Sequence, residues 1–278
     1  MSRSSPPSFD PASSAHLDFI AAAVAAGIAP DDRWVGGYAA YEWRHLRLAL
    51  EAYAIDPDGR QVLELGCNVG GSAVVLAALG ARLSGVDADP LMPPIAAANL
   101  ARHGLSGDMR TIEAGAALPF ADAAFDLVVA NSVLEYVDPS HLDATLAELH
   151  RVVRPGGRLF ICGTASRLPL RERHSGRWLV NLLPSTVDGL FGSRLQRGLS
   201  PLRLSRALAG RFRVMGGPEA WLAARRAIHG RLGPLTRAYA ALGQAAQCTP
   251  GWFTPYIELS LQKLSDSERP AGQGRSLR

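Results

Sequence analysis

Short apolar runs alternate with segments of helical periodicity through the first 164 residues of the chain. The apolar runs predict buried strands at 61–65, 82–87, 109–113, 125–130 and 158–162. Helical segments are predicted between them at 72–79, 90–103 and 139–153, and a further helix at 38–53. A chain that alternates strand and helix in this way favours a mostly parallel sheet with helices on both faces.

The regular alternation stops after residue 164. A segment rich in arginine, 167–200, comes first and has no counterpart in a minimal sheet of this kind. The pattern then predicts a helix at 200–209, a strand at 211–215, a second helical insert at 218–247 and a last strand at 256–261. The second half of the chain is therefore expected to combine inserted helices with two more strands.

A glycine-rich turn follows the first predicted strand. That strand ends in Glu64, and Gly66, Asn68 and Gly70 come next. Glycine at a strand-to-helix turn lets backbone pass close to a ligand, although an ordinary packing turn has the same pattern. The second predicted strand ends in Asp87, where a carboxylate can hold the hydroxyls of a ribose. Together these features are typical of half of a nucleotide-binding α/β sheet.

Four motifs occur in order along the chain: the glycine turn at 63–70, Leu-Pro-Phe at 118–120, Phe-Asp-Leu-Val-Val at 125–129 and Arg-Pro-Gly-Gly at 154–157. With them the chain resembles the class I S-adenosylmethionine-dependent methyltransferases, over roughly residues 60–164 and within the branch that acts on small molecules. The resemblance implies an α/β, Rossmann-like, doubly wound and mostly parallel seven-stranded sheet with an antiparallel last strand. It also implies helical inserts after strand 5 and strand 6, and S-adenosyl-L-methionine as the cofactor.

The resemblance implies a set of cofactor-binding residues at the ends of the strands. These residues are Glu64, Gly66, Cys67, Asn68, Gly70, Asp87, Ala88, Gly115, Ala116 and Asn131. Glu64 is expected to orient the turn and reach the cofactor's ammonium, its alternative role being a cap on the turn. Asp87 is expected to accept both ribose hydroxyls, its alternative being an exposed loop acid. Ala88 is expected to pack on the adenine.

Two positions depart from the family pattern. Asn68 replaces the middle glycine of the turn, and asparagine is the residue besides glycine that best adopts a positive φ. Ala114 stands where the family often has an aspartate for the adenine amine. We therefore expect backbone groups around Gly115 and Ala116 to bind the adenine, or Glu113 if the register of the third strand slips.

Methyl transfer requires alignment of acceptor, methyl group and sulfur more than a protein nucleophile. An oxygen acceptor needs a general base, whereas an amine needs only to arrive neutral. The catalytic candidates are Glu135, Tyr136 and His174, with His141 as a further possible base. Related sequences often carry histidine at the position of Tyr136, and His174 has a surface-loop role as its alternative. No cluster of metal-ligand type is visible, so no metal is expected.

Composition narrows the class of protein. Hydrophobic residues make up 47% of the chain and charged residues 19%, which is typical of a globular protein. The three cysteines are far apart in sequence and form no disulfide framework, so a reducing, cytoplasmic compartment is expected. No apolar run reaches the length of a membrane span.

The implied division places a flexible N-terminus and helix at 1–30 and the cofactor-binding core at 31–164. Arginine-rich lid inserts on the acceptor side, including strand 6, take 165–250. The last strand of the core takes 251–264 and a disordered tail 265–278. The net charge is +4, but between residues 167 and 237 arginines are dense and acids few. This asymmetry predicts an anionic partner, and its alternative is a solvated arginine-rich face.

The acceptor is therefore expected to be a small or lipid-linked molecule with an anionic head and an apolar part. The apolar run at 178–191 among arginines fits peripheral contact with the inner face of a membrane, although such leucines often pack on a core. Two other functions stay open. One is an inactive binding or scaffold protein with this fold. The other is RNA methylation through the arginines, which the lack of a stacking aromatic array disfavours, so nucleic acid is not expected.

Overall fold

A computed structural model of the chain describes residues 5–173, 176–184, 187, 190, 197–265 and 267–268. Seven strands form one sheet in the order β3-β2-β1-β4-β5-β7-β6. Their bounds are β1 Gln61–Leu65, β2 Arg82–Asp87, β3 Asp108–Thr111, β4 Phe125–Asn131, β5 Val153–Ala165, β6 Phe212–Met215 and β7 Tyr256–Lys263. The helices are α1 Ser14–Ala25, α2 Tyr38–Ala52, α3 Gly71–Ala78, α4 Met92–Arg102, α5 Leu142–Val152, α6 Pro201–Leu208, α7 Gly217–His229 and α8 Pro234–Ala245.

The sheet confirms the predicted fold class. Strands β1 to β5 pair in parallel, while β7 runs antiparallel between β5 and β6. The central strands are apolar on both faces because helices cover both, as a parallel sheet requires. One face carries α2 and α3 with α7 beyond them, and the other carries α5 and α6.

The Arg-Pro-Gly-Gly motif lies inside β5 and not before it. Val153 pairs with Phe125, and the next pair joins Arg158 to Leu127, so the motif forms an irregularity in the strand. Arg154 makes an ion pair with Asp126 there. A bulge of this kind bends a strand without ending it, which explains why β5 begins earlier than the predicted residue 158.

Helices α7 and α8 occupy the second predicted helical insert, with residues 230–233 between them. Gly230 adopts a φ of 69°, a conformation that glycine takes at no steric cost and that ends α7. Helix α7 packs against α2. This contact brings two segments that are far apart in sequence to the same edge of the sheet.

The N-terminal segment is attached to the core. Helix α1 packs against α4, and Phe19 is fully buried between them. Phe9 stacks on His16, with ring centroids 4.7 Å apart, and the Arg102 guanidinium lies 4.4 Å from the Phe9 ring. Of the tail predicted to be disordered, only residues 265, 267 and 268 are among those described. None of the described helices combines the length and apolar character that crossing a bilayer requires.

Candidate functional site

A cavity of about 1120 Å³ opens at the carboxyl ends of β1, β2 and β4. Ligands of open α/β sheets bind at this edge, where the strand order reverses. Helices α2 and α7, together with β7, extend the cavity beyond the strand ends. It therefore has a near end, next to the glycine turn, and a far end, between α2 and α7.

The turn after β1 has the predicted backbone conformation. Gly66, Asn68 and Gly70 have φ values of 72°, 44° and 81°. A Cβ at Gly66 would lie 2.9 Å from Val133 Cβ, and one at Gly70 would lie 2.8 Å from Ala96 Cα. Close packing against other protein atoms therefore requires glycine at both positions. The sequence pattern had instead suggested that glycine is needed to let the backbone approach a ligand.

Asp87 holds this turn through its carboxylate. Its Oδ2 accepts a hydrogen bond from the Asn68 amide at 2.8 Å, and its Oδ1 accepts one from the Asp89 amide at 3.0 Å. The Asn68 side chain accepts a bond from the Val69 amide at 2.8 Å. A carboxylate has about four acceptor sites, so Asp87 can still accept hydroxyl donors from a ligand in the cavity.

Two buried glutamates, Glu64 of β1 and Glu42 of α2, line the near end of the cavity. Burial raises the pKa of Glu64 well above its usual range, and the nearby Glu42 carboxylate raises it further. Burial also raises the pKa of Glu42, against hydrogen bonds with Tyr38 and Asn131. The Glu64 Oε2 atom has no hydrogen-bond partner within the described part of the chain. Such an arrangement suits a cationic ligand, which would satisfy both carboxylates.

Asn131, at the end of β4, connects the two sides of the near end. Its Nδ2 donates to Ser72 Oγ at 2.9 Å, and its Oδ1 lies 3.4 Å from Cys162 Sγ. The next residue, Ser132, has a φ of 50° and donates from its hydroxyl to the Gly163 carbonyl at 3.1 Å. A positive φ is uncommon for serine, and strain of this kind collects at functional sites.

Only some of the remaining predicted cofactor residues line the cavity. Cys67, Ala88 and Gly115 line the cavity, as do Ala114 and Ile112. Gly70 and Ala116 are not among the lining residues, and neither is Glu113, which is exposed. The His141 ring covers Gly115 so closely that a Cβ there would lie 2.7 Å from its Cγ. The wall available to an adenine is consequently small, apolar and rich in backbone groups.

Two of the three predicted catalytic residues line the cavity. Glu135 and Tyr136 line it, whereas His174 lies outside the described residues. Glu135 is buried and accepts a bond from the Ala165 amide at 3.1 Å. Burial raises the pKa of Glu135 to about 7, against hydrogen bonds that lower it. Tyr136 is exposed on the rim.

The far end of the cavity carries residues that the sequence pattern did not indicate: Tyr41, His45, Arg173, Arg225, His229, Tyr256 and Glu258. Arg225 of α7 pairs with the buried Glu258 of β7, and Tyr53 donates to Glu258 Oε1 at 3.2 Å. The Arg173 guanidinium lies 4.3 Å from the Tyr256 ring centroid. Two glutamates among apolar residues are the only signal in the sequence that could have marked these elements. They are Glu42 on the buried face of α2 and Glu258 in β7.

The far end also carries two cationic side chains, Arg173 and Arg225, that could contact a second ligand. Among the described residues no group of three His, Cys, Asp or Glu side chains is arranged to hold a metal ion. The arrangement therefore offers a carboxylate-lined near end and a far end with two guanidinium groups and two imidazoles.

Residues 63–161 match a family model described as a methyltransferase domain. An uncharacterized methyltransferase of Synechocystis is 38% identical over 125 residues, which are 44% of this chain and 53% of that protein. A ubiquinone biosynthesis O-methyltransferase of Cereibacter sphaeroides is 32% identical over 158 residues, 52% of this chain and 62% of that protein. Over residues 63–161 the chain is therefore similar to the class I S-adenosylmethionine-dependent methyltransferase superfamily. It spans between half and two thirds of the length of these two relatives.

Solved structures show the same fold. An S-adenosylmethionine-dependent methyltransferase from Mesorhizobium loti superposes with a TM-score of 0.52 at 19% identity, covering 80% of this chain and 97% of that one. The [4+2]-cyclase SpnF superposes with a TM-score of 0.50 at 24% identity, covering 78% and 80% of the two chains. The cofactor that the superfamily implies is S-adenosyl-L-methionine, and the buried carboxylates at the near end fit its cationic groups.

Proposed function

We propose that this protein transfers a methyl group from S-adenosylmethionine to a small or lipid-linked acceptor. The observation that supports it best is the pair of buried glutamates, Glu42 and Glu64, one of which has a carboxylate oxygen without a partner among the described residues. A cation in the cavity would compensate the cost of burying them. The cofactor supplies a methyl group that positive sulfur has already activated.

Each residue of the near end has a proposed task. Glu64 and Glu42 would hold the cofactor's positive groups, and Asp87 would accept the ribose hydroxyls while its oxygens keep the turn closed. Asn131 would hold Glu42 in place through their hydrogen bond. The protein's contribution is therefore position and charge, which in a closed site can supply on the order of 7–11 kcal/mol.

Calorimetry with S-adenosylhomocysteine tests the cofactor assignment. We expect Asp87→Ala to weaken binding at least tenfold because two hydroxyl donors lose their acceptor. Asp143→Ala is a matched control, since Asp143 is an exposed carboxylate that pairs with Arg203 away from the cavity. A folded wild-type protein that does not bind the ligand at high micromolar concentration would contradict the assignment.

The acceptor is proposed to carry an anionic group next to an apolar body. Arg225 uses one guanidinium nitrogen for Glu258, while its buried Nε has no partner among the described residues. Arg173 reaches the cavity from the segment after β5. Relatives named for ubiquinone biosynthesis and for sterol methylation are consistent with the apolar body of such an acceptor. Methyl transfer from labelled cofactor into chromatographic fractions of a cell extract would identify it by product mass.

Residues 168–197 are proposed as an acceptor-side lid. The segment leaves and rejoins the core at one point, because the Leu199 amide donates to the Ala165 carbonyl at 2.8 Å and the Arg167 amide to the Leu199 carbonyl at 2.9 Å. Arg167 and Arg197 donate to carbonyls of Asn181 and Val180 within the segment. Because the guanidinium groups of these two arginines hold the segment together, and because Arg173 lines the cavity, we assign contact with the acceptor to Arg173.

Replacing residues 168–197 by a short Gly/Ser linker tests this role. The ends of the linker would stay next to each other, so the fold is expected to persist. Binding of S-adenosylhomocysteine should change by no more than a few-fold, and turnover of the identified acceptor should be lost. Near-normal turnover would contradict a lid function.

In the described part of the lid, polar side chains are buried and large apolar ones are exposed, which supports peripheral contact with an anionic lipid surface. Glu172 and Asn181 are buried, whereas Leu168, Trp178 and Leu182 are exposed, Trp178 to 67% and Leu182 to 65%. The described residues from 167 to 184 hold four arginines and the single acid Glu172. An apolar surface with a cationic rim matches a bilayer with negatively charged headgroups. The proposed location is therefore the cytoplasm, with contact at the inner face of the membrane.

Flotation with vesicles of phosphatidylglycerol and phosphatidylcholine tests lipid contact. The double variant Trp178→Ser, Leu182→Ser should bind at least about a hundredfold more weakly, since each buried apolar side chain contributes about 1.5–3 kcal/mol. Leu17→Ser, which removes an exposed leucine of α1, is the control. Wild-type protein that stays unbound, or that binds phosphatidylcholine alone equally well, would contradict the proposal.

An inactive binding protein is the second candidate. The departures at Asn68, Ala114 and Tyr136 favour it, and the same fold in a protein described as a cyclase illustrates that fold does not fix the reaction. Cofactor binding without any methylated product in a whole extract would support this candidate. Turnover that Gly66→Arg abolishes would exclude it.

A further inference from the structure

Helix α2 brings two titratable side chains into the cavity on one face. Glu42 and His45 are three positions apart, a spacing that places side chains on the same side of a helix, and both line the cavity. Glu42 bonds to Asn131 at the near end. His45 lies about one turn further along the helix, toward α7. It therefore stands on the path between the cofactor-binding end and the acceptor end.

The protonation of the His45 ring is set by its contacts. Nδ1 lies 2.7 Å from the Tyr41 carbonyl oxygen, and because a carbonyl can only accept, Nδ1 carries the proton. The neutral ring consequently has its lone pair on Nε2. The ring also stacks on Tyr41, with centroids 3.8 Å apart and planes inclined by 18°. Ring orientation and tautomer are both fixed, as in a histidine prepared to accept a proton.

The charged groups around His45 come from four elements. Tyr41 and Glu42 share α2 with it, Arg225 and His229 face the same end from α7, Glu258 faces it from β7, and Arg173 from the lid. Burial lowers the pKa of His229 most, and the charges of Arg225 and then of His45 lower it further. The other candidate, Glu135, is buried, and its Oε1 accepts a hydrogen bond from the Ala165 amide, which anchors the carboxylate to β5.

We propose that His45 is the general base for a hydroxyl acceptor bound between α2 and α7. This inference rests on the proposed function. The acceptor oxygen forms a bond to the methyl carbon as the carbon–sulfur bond breaks, and the electron pair of that bond goes to sulfur. The acceptor's proton passes to His45 Nε2 and later to solvent. The sulfur product is neutral, and atoms and charge balance.

A pair of probes separates base catalysis from a structural role. Two probes carry the proposed carboxylate and apolar body. The catechol 3,4-dihydroxy-5-octylbenzoate presents hydroxyls that need a base, whereas the aniline 4-amino-3-octylbenzoate arrives with a neutral amine that needs none. We expect His45→Gln to lower kcat/KM for the catechol about 10²- to 10⁴-fold near neutral pH. The rate with the aniline should change by no more than a few-fold. Raising the pH should restore catechol methylation by the variant, because the catecholate then forms without help.

Five further outcomes bear on the assignment. Loss with both probes would show a structural role and overturn the proposal, as would a catechol-specific loss in His229→Gln but not in His45→Gln. Long-range ¹H–¹⁵N spectra should show the His45 ring protonated on Nδ1 at neutral or higher pH, and an Nε2-protonated ring would overturn it. Wild-type protein that binds S-adenosylhomocysteine but methylates only the aniline would overturn the base role alone. Wild-type protein that does not bind S-adenosylhomocysteine would instead overturn the proposed function.

Discussion

The backbone amide of Asn68 donates to the carboxylate of Asp87 at 2.8 Å, joining the turn after β1 to the end of β2. The two residues are 19 positions apart, and the parallel pairing of β1 with β2 brings them together. Both groups belong to the protein, so the bond can hold the turn in place before a cofactor binds. Pre-organisation of this kind lowers the cost of binding.

Removing the Asp87 carboxylate should therefore destabilise the protein even without cofactor. Asp87→Ala leaves the amides of Asn68 and Asp89 without their acceptor, at a cost of about 1–3 kcal/mol in the free energy of unfolding. Asp87→Asn keeps one acceptor oxygen and should lose about half as much. Urea unfolding monitored by circular dichroism measures both. Equal stability of Asp87→Ala and wild type would show that the turn does not depend on this contact.

Glu64→Gln should separate stability from binding. Burial raises the pKa of Glu64, so the folded protein retains a proton that the unfolded chain loses as the pH rises past its ordinary carboxyl value. Stability without cofactor therefore falls with rising pH. A neutral glutamine removes this fall in stability, so at pH 8 the variant should be at least as stable as wild type. It should bind the cationic cofactor more weakly. Thermal unfolding with and without S-adenosylmethionine tests both effects, and tighter binding by the variant would argue against a cation at Glu64.

Glu135 should contribute a pH dependence over a defined range. Its pKa rises from 4.5 to about 7 on folding, so its stabilising proton is fully present below the unfolded value and is lost as the pH rises through about 7. The loss between these values amounts to on the order of 3 kcal/mol. Comparing urea unfolding of wild type and Glu135→Gln from pH 4.5 to 8 measures it. The variant should show the shallower slope, and parallel curves would show that Glu135 does not titrate in this range.

Gly66→Ala should cost more than its backbone conformation alone explains. Gly66 and Gly59 have φ values of 72° and 68°, but a Cβ at Gly66 would overlap Val133, while one at Gly59 would meet nothing within 4 Å. Gly59→Ala is therefore a control for conformational strain. We expect Gly66→Ala to lower the free energy of unfolding by about 1–3 kcal/mol more than the control. If overlap with the Val133 side chain is the cause, adding Val133→Ala to Gly66→Ala should reduce the difference in the free energy of unfolding between Gly66→Ala and Gly59→Ala.

The amino-acid sequence determined the sheet from β1 to β5 and the groups at the ends of its strands. Apolar periodicity is a local property, and each strand from Gln61 onward could be placed to within a few residues except β5, whose first residues pair across a bulge. The positions of Glu64 and Asp87 at adjacent strand ends follow from parallel pairing alone. Asn68 could be assigned a positive φ because few other residues tolerate it.

Tertiary structure decided the far end of the cavity and brought Glu42 to the near end. Glu42 and His45 come from a helix before the first strand, and Arg225 and Glu258 come from elements more than 150 residues later. They meet because α2 packs on α7 and because β7 inserts between β5 and β6. Periodicity marks α2 as a helix with one buried face, but it cannot say which distant side chains share that face. Long-range packing sets that choice, so the residues proposed for acceptor chemistry became visible only in the folded chain.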